Sequence, residues 1–147
     1  RAAPNPQPSN TRTMHIQNFD HLLEVARSQS DPQRLLLVFV GAELPDDCTP
    51  EQRANFEAGH GGALVPLMCV DKWPEQLLSF SALTEEADAF GLSWRFVLAG
   101  ALSGVAGQAP SDEATTQALD QLVEQVKRGR FETLIPFDHA GLPVSMA

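Results

Sequence analysis

Six consecutive apolar residues, Leu35–Val40, constrain the fold of this chain more than any other feature. The run has no polar alternation and contains two valines and a phenylalanine, which is typical of a β-strand buried on both faces. A second apolar run, about Ala63–Val70, follows after a short predicted helix. A strand covered on both faces needs helices above and below its sheet. The chain is therefore predicted to fold as an α/β domain.

Capping residues and helical periodicity predict four helices around these strands. Asn18 caps the first, and Thr49 with Gln52 forms the capping-box pattern of the second. The third and fourth helices are predicted over about Pro74–Phe90 and Asp112–Arg128, from apolar residues at helical spacing.

The remaining segments predict the topology of the sheet. Trp94–Ala99 is a third predicted strand, Gly100–Pro110 is a predicted loop, and apolar segments around the turn Asp138–Gly141 indicate a C-terminal β-hairpin. The order α-β-α-β-α-β-α-β-β predicts right-handed crossovers and a mainly parallel sheet of about four strands flanked by helices. Pro66 indicates that the second strand is bulged or lies near an edge.

The length of 147 residues is close to that of one domain. Residues 1–13 are rich in Pro, Asn, Ser and Thr, which predicts a flexible tail before a single domain over residues 14–147. No signal-peptide segment is recognised, and no apolar stretch approaches the roughly 18 residues that span a bilayer. A cytoplasmic protein without a membrane partner is expected.

The net charge of −9 argues against a nucleic-acid partner, because phosphate binding depends on clustered cations. The glycine cluster Gly59–Gly62 follows a predicted helix and precedes a strand, the reverse of the order in a phosphate-binding loop. No cofactor is therefore predicted.

Acidic residues at the ends of the first two strands form the main candidate site. Glu43, Asp46 and Asp47 follow the first strand, and Asp71 follows the second. In a parallel sheet both ends lie at the edge where ligands bind. Carboxylates there can hold a divalent cation or act as general acid and base. Alternatively, these acids only cap helices and solvate turns.

The two cysteines form no C-x-x-C pair. Cys48 precedes a predicted helix, where the helix dipole favours the thiolate while Asp46 and Asp47 disfavour it, so Cys48 is a candidate reactive thiol. Cys69 lies in an apolar strand and is predicted to belong to the core. The four histidines, including His60 and His139, show no metal-ligand spacing, and no catalytic residue is predicted.

Four segments are distinctive as a set: LLLVFVGAELPDD, TPEQRANFEAG, GGALVPLMCVDK and IPFDHAGLPV. With them, roughly Met14–Val144 resembles a family of small proteobacterial proteins that often carry the label "ribonucleotide reductase subunit alpha". The resemblance implies a shared fold. A reductase catalytic subunit needs a large barrel, a radical-relay tyrosine and several cysteines, whereas this chain has no tyrosine and two cysteines. The resemblance therefore assigns no catalytic residue.

These observations favour a non-catalytic protein-interaction or regulatory domain. Trp73 and the edge of the C-terminal hairpin are candidate contacts with a protein partner or with a second copy in a homodimer. Two alternatives stay open: a small-ligand or metal-binding enzyme that uses the strand-end acids, and a redox sensor that uses Cys48.

Overall fold

The computed structural model describes residues 16–44, 47–57, 63–77 and 79–144. The predicted tail (residues 1–13), Asp46 and His60 lie outside the described residues. The described helices and strands are, in chain order, α1 (Phe19–Arg27), β1 (Gln33–Glu43), α2 (Pro50–Glu57), β2 (Ala63–Lys72), α3 (Phe80–Ala89), β3 (Phe96–Ser103), α4 (Asp112–Lys127) and β4 (Ile135–Phe137).

The sheet is antiparallel throughout, so the predicted mainly parallel sheet is wrong, although the α/β class is correct. The strand order is β2-β1-β3-β4, and each neighbouring pair is antiparallel. Helix α2 does not cross the sheet, because it connects two adjacent antiparallel strands. Its sequence, PEQRANFE, has no apolar stripe with which to cover a sheet face, and its described side chains are exposed.

Burial of β1 on both faces is confirmed. All residues of Leu35–Val40 are buried. The odd-numbered side chains pack with α1 and α3, while the even-numbered side chains pack with α4. The unbroken apolar run therefore correctly indicated a strand that is covered on both faces. An antiparallel strand in the middle of a sheet can be covered on both faces as well as a parallel one can.

Several predicted caps are present. The Oδ1 atom of Asn18 accepts a hydrogen bond from His21 N at 2.8 Å, which caps α1. At α2, Gln52 N donates to Thr49 Oγ1 at 3.1 Å and Thr49 N donates to Gln52 Oε1 at 2.9 Å, which confirms the capping box.

Two local predictions are wrong, one at the start of the third helix and one at the end of the third strand. The third helix begins at Phe80 rather than Pro74, because a 3₁₀ turn over Pro74–Gln76 ends before Ser79 caps α3 through a bond from Ala82 N. Phe90 lies beyond the end of α3 and is 70% exposed. Residues 100–103, predicted to be a loop, continue β3.

The described part of the C-terminal hairpin contains one strand. Among its described residues only Ile135–Phe137 form a strand, and Val144 N donates to Pro136 O at 3.0 Å across the hairpin. The turn is held by Asp138 Oδ1, which accepts bonds from two backbone N–H groups, and Phe19 N donates to Gly141 O at 2.9 Å. The hairpin is thereby attached to the start of α1.

Candidate functional site

The predicted acidic site does not assemble from its two strand ends. Leu36 lies opposite Asp71, whereas Glu43 lies opposite Ala63. The seven residue steps from Leu36 to Glu43 correspond to about 24 Å along an antiparallel strand. Because β1 and β2 run in opposite directions, Glu43 and Asp71 lie at opposite ends of the sheet.

Asp71 has a structural partner instead. It accepts a hydrogen bond from Arg34 Nε at 2.7 Å and forms an ion pair with the same guanidinium group. That group also lies 4.1 Å from the ring centroid of Trp73 and 3.4 Å from Asp112 Oδ1, at the start of α4. Arg34 thus links β1, β2 and α4. The ring of Trp73 packs against the Arg34 guanidinium of the same molecule.

Between β1 and α2, the described residues do not bring the acidic side chains and the thiol together into a site. Asp47 is exposed and Cys48 is half-buried, while Asp46 lies outside the described part of the chain. Among the described residues, no group of three His, Cys, Asp or Glu side chains is arranged to hold a metal ion. The proposed roles of Glu43, Asp46, Asp47 and Cys48 stay predictions.

Cys69 is exposed, so its predicted place in the core is wrong. It faces the α4 side of β2, opposite Val38 at the edge of the sheet. Partial burial of the thiol raises its pKa, and the negative charges of Asp120 and Asp71 raise that pKa further. The raised pKa lowers the thiolate fraction of this exposed cysteine at a given pH, and the thiolate is the reactive form.

In a Cys48→Ser background, alkylation of Cys69 by iodoacetamide is expected to begin at higher pH than alkylation of an unfolded control peptide. The reaction follows the thiolate fraction, which a raised pKa lowers. Asp120→Asn removes one of the negative charges and should move the pH–rate profile to lower pH, whereas Glu85→Gln on α3 should not. A profile that Asp120→Asn leaves in place would contradict this account.

His139 lies in the hairpin turn, as predicted, and also contacts an aromatic cluster. Its ring stacks on Trp94 with centroids 3.7 Å apart and an angle of 9° between the planes. The Nε2 atom lies 2.7 Å from Trp94 O, and since a carbonyl oxygen only accepts, the Nε2–H donates. Trp94 in turn contacts Phe39 and Phe80 edge-on. His139 therefore fastens the hairpin turn to the core.

A groove of about 550 Å³ lies between α1 and the second half of β3. Its floor consists of the small residues Ala99, Gly100 and Ala101, and one wall consists of Leu22 and Val25 from α1. The segment that leads into β4, residues 132–135, forms the opposite wall. The groove exists because the floor is small and β4 is too short to cover it.

Backbone hydrogen bonds determine which peptide groups of β3 point towards this opening. Gly104 N donates to Pro32 O at 2.8 Å, in register with the pairing of β3 and β1. In an antiparallel ladder the direction of the peptide groups alternates along the strand. The even-numbered residues of β3 therefore face β1, and Val97, Ala99, Ala101 and Ser103 face away from it.

Along β3, strand β4 pairs only with Val97–Ala99. Ala101 and Ser103 consequently direct their peptide groups away from β1 at positions where the described part of the chain places no strand. This open end of β3 adjoins the groove. The sequence does not reveal this open end, because Gly100–Pro110 is predicted to be a loop. The alternation of Leu98, Gly100 and Leu102 with Ala99, Ala101 and Ser103 indicates that β3 continues, but not that the neighbouring strand is shorter.

The two outer edges of the sheet differ from this open end. Peptide groups alternate in direction along β2 as well, and the nitrogen of Pro66 faces outward, away from β1. The register between β1 and β2 shifts between Phe39 and Val40, next to Pro66. The predicted edge position and the predicted bulge are therefore both confirmed. On the hairpin, Pro143 lies between two hydrogen bonds, from Asp138 N to Leu142 O and from Val144 N to Pro136 O. The nitrogen of Pro143 therefore faces outward, away from β4. Proline and bulges are devices that block strand addition.

Comparison with known proteins gives no match for this chain. No protein-family model, curated protein or solved structure matches it. The resemblance of the four sequence segments to a proteobacterial family therefore stays a prediction. Among the described helices, none combines the length and the apolar character that crossing a bilayer requires. A functional proposal for this chain therefore starts from its own geometry.

Proposed function

We propose that this chain is a non-catalytic protein-interaction domain that takes up an extended segment of a partner protein beside the open end of β3. The observation that carries the proposal is the outward direction of the Ala101 and Ser103 peptide groups, next to a groove. Strand addition of this kind supplies main-chain hydrogen bonds from the exposed edge, while neighbouring pockets select side chains.

The contrast between the edges supports this proposal. Pro66 and the register shift interrupt the edge of β2, where Asp71 and Lys72 add charge, and Pro143 interrupts the edge of the hairpin. The open end of β3 carries Ala101 and Ser103, which are small and uncharged. An incoming strand therefore meets less obstruction beside β3 than at either outer edge.

The proposal is tested by selecting binders from a displayed library of random linear peptides and measuring amide hydrogen exchange with and without a selected peptide. Bound peptide should slow exchange at Ala101 and Ser103, because their N–H groups gain acceptors. Ala101→Pro removes one of these donors and should weaken binding about tenfold, on the scale of one net hydrogen bond.

The matched control is Cys69→Pro, which removes an outward-facing N–H group from the edge of β2 and should leave peptide affinity unchanged. Circular dichroism and thermal unfolding establish that both proline variants are folded. Absence of any selected binder, or equal loss of affinity in the two variants, would refute strand addition at β3.

A further inference from the structure

We infer that the partner segment carries a bulky apolar side chain that fills the groove and a neighbouring lysine or arginine that pairs with Glu132. This inference rests on the proposed function and specifies its ligand.

The direction of side chains along the strands determines which residue of an added strand faces the groove. Ala99 and Phe137 belong to the core on the α1 side of the sheet, and Ile135 packs against the same core. Side chains at every second position of a strand lie on one face. The residue of an added strand opposite Ala101 would thus extend the row formed by Phe137 and Ile135, and its side chain would point into the groove.

The shape and polarity of the groove favour a bulky apolar side chain. Its floor of two alanines and a glycine leaves space above β3, and its α1 wall is formed by aliphatic side chains. The volume of about 550 Å³ lies within the range of small-molecule pockets and accommodates an aromatic or long aliphatic side chain. Burial of such a side chain gives an extended ligand its main apolar contact.

The charge around the groove is negative. Glu132 is exposed and is the charged member of the described groove lining, which contains no lysine or arginine. The whole chain carries a net charge of −9. Both features favour a cationic ligand, the first by direct pairing and the second by steering.

The same charge argues against a second copy of this chain as the occupant. Two copies would each carry −9, and the outer edges that a copy would offer for pairing contain Pro66 and Pro143. The structure therefore points to a different protein with a basic, extended segment.

The experiment measures fluorescence anisotropy of labelled peptides from the random library, against wild-type protein and matched variants. Ala101→Trp fills the groove from an exposed position and should weaken binding about 30-fold, the scale of an interface hot spot. Glu132→Lys should weaken binding about fivefold, the scale of an exposed ion pair, and exchange of the peptide's basic residue for Glu should restore it. Ala89→Trp and Glu85→Lys, both on exposed positions of α3, should have no effect.

The outcomes separate this inference from the proposed function. Peptides that are sensitive to Ala101→Pro but insensitive to Ala101→Trp and Glu132→Lys would overturn the inference and leave strand addition intact. Peptides insensitive to all three variants would overturn both. Concentration-dependent dimerisation that Ala101→Trp abolishes would identify a second copy as the occupant and overturn the inference.

Discussion

Replacing Phe137 by alanine is expected to lower the free energy of unfolding by about 4 kcal/mol, the middle of the range for buried phenylalanines. The side chain is fully buried, and its ring meets Phe19 edge-on with centroids 5.2 Å apart. It also lies in β4, a strand of three residues. Truncation would therefore leave a cavity between the sheet and α1 and remove the main apolar anchor of the hairpin.

Urea unfolding followed by circular dichroism measures this effect. Phe90→Ala is the matched control, because Phe90 is 70% exposed and its truncation should change stability by less than about 0.5 kcal/mol. Similar losses in the two variants would show that the hairpin is not packed into the core as described.

The second large effect is expected at Gly104, where alanine should cost about 3 kcal/mol, the upper range for overpacking. A Cβ atom at this position would lie 1.9 Å from Gln108 O and 2.9 Å from Gln108 C. Both are backbone atoms, so rotation of a side chain cannot relieve the contact. The bond from Gly104 N to Pro32 O, which ends the pairing of β1 with β3, would be strained as well.

Gly107→Ala is the control in the same turn, measured by the same urea titration. Gly107 has a φ of +80°, but a Cβ atom there would meet nothing within 4 Å. Its cost should be limited to the left-handed backbone conformation, about 1 kcal/mol. If Gly104→Ala proved no more destabilising than Gly107→Ala, the close approach of the Gln108 carbonyl would be refuted.

The sequence predicted which strand is covered on both faces better than it predicted the direction of the strands. Leu35–Val40 indicated a strand covered on both faces, and that burial is present. The direction of the strands depends on contacts between distant segments, which an apolar run does not encode. The polar sequence of α2 was the available clue, since a crossover helix needs an apolar face.

The acidic site predicted from the sequence does not form, because its prediction depended on the wrong strand direction. Glu43 and Asp71 were paired on the premise that successive strands end at the same edge, which holds only for parallel neighbours. The open end of β3 could not be predicted from the sequence, since it arises from a difference in length between two strands distant in the chain. The open end is visible only when the register of β3 is known against both β1 and β4.

The outward-facing prolines, Pro66 and Pro143, also bear on how the molecule behaves at high concentration. Fibrillar growth requires an unbroken row of N–H and C=O groups on each side of a sheet, so that every molecule templates the next. In this chain a proline interrupts that row at each outer edge. A strand added at the short opening beside β3 would be held by one molecule without starting a stack. The proposed strand addition beside β3 is therefore compatible with resistance to open-ended assembly at the outer edges.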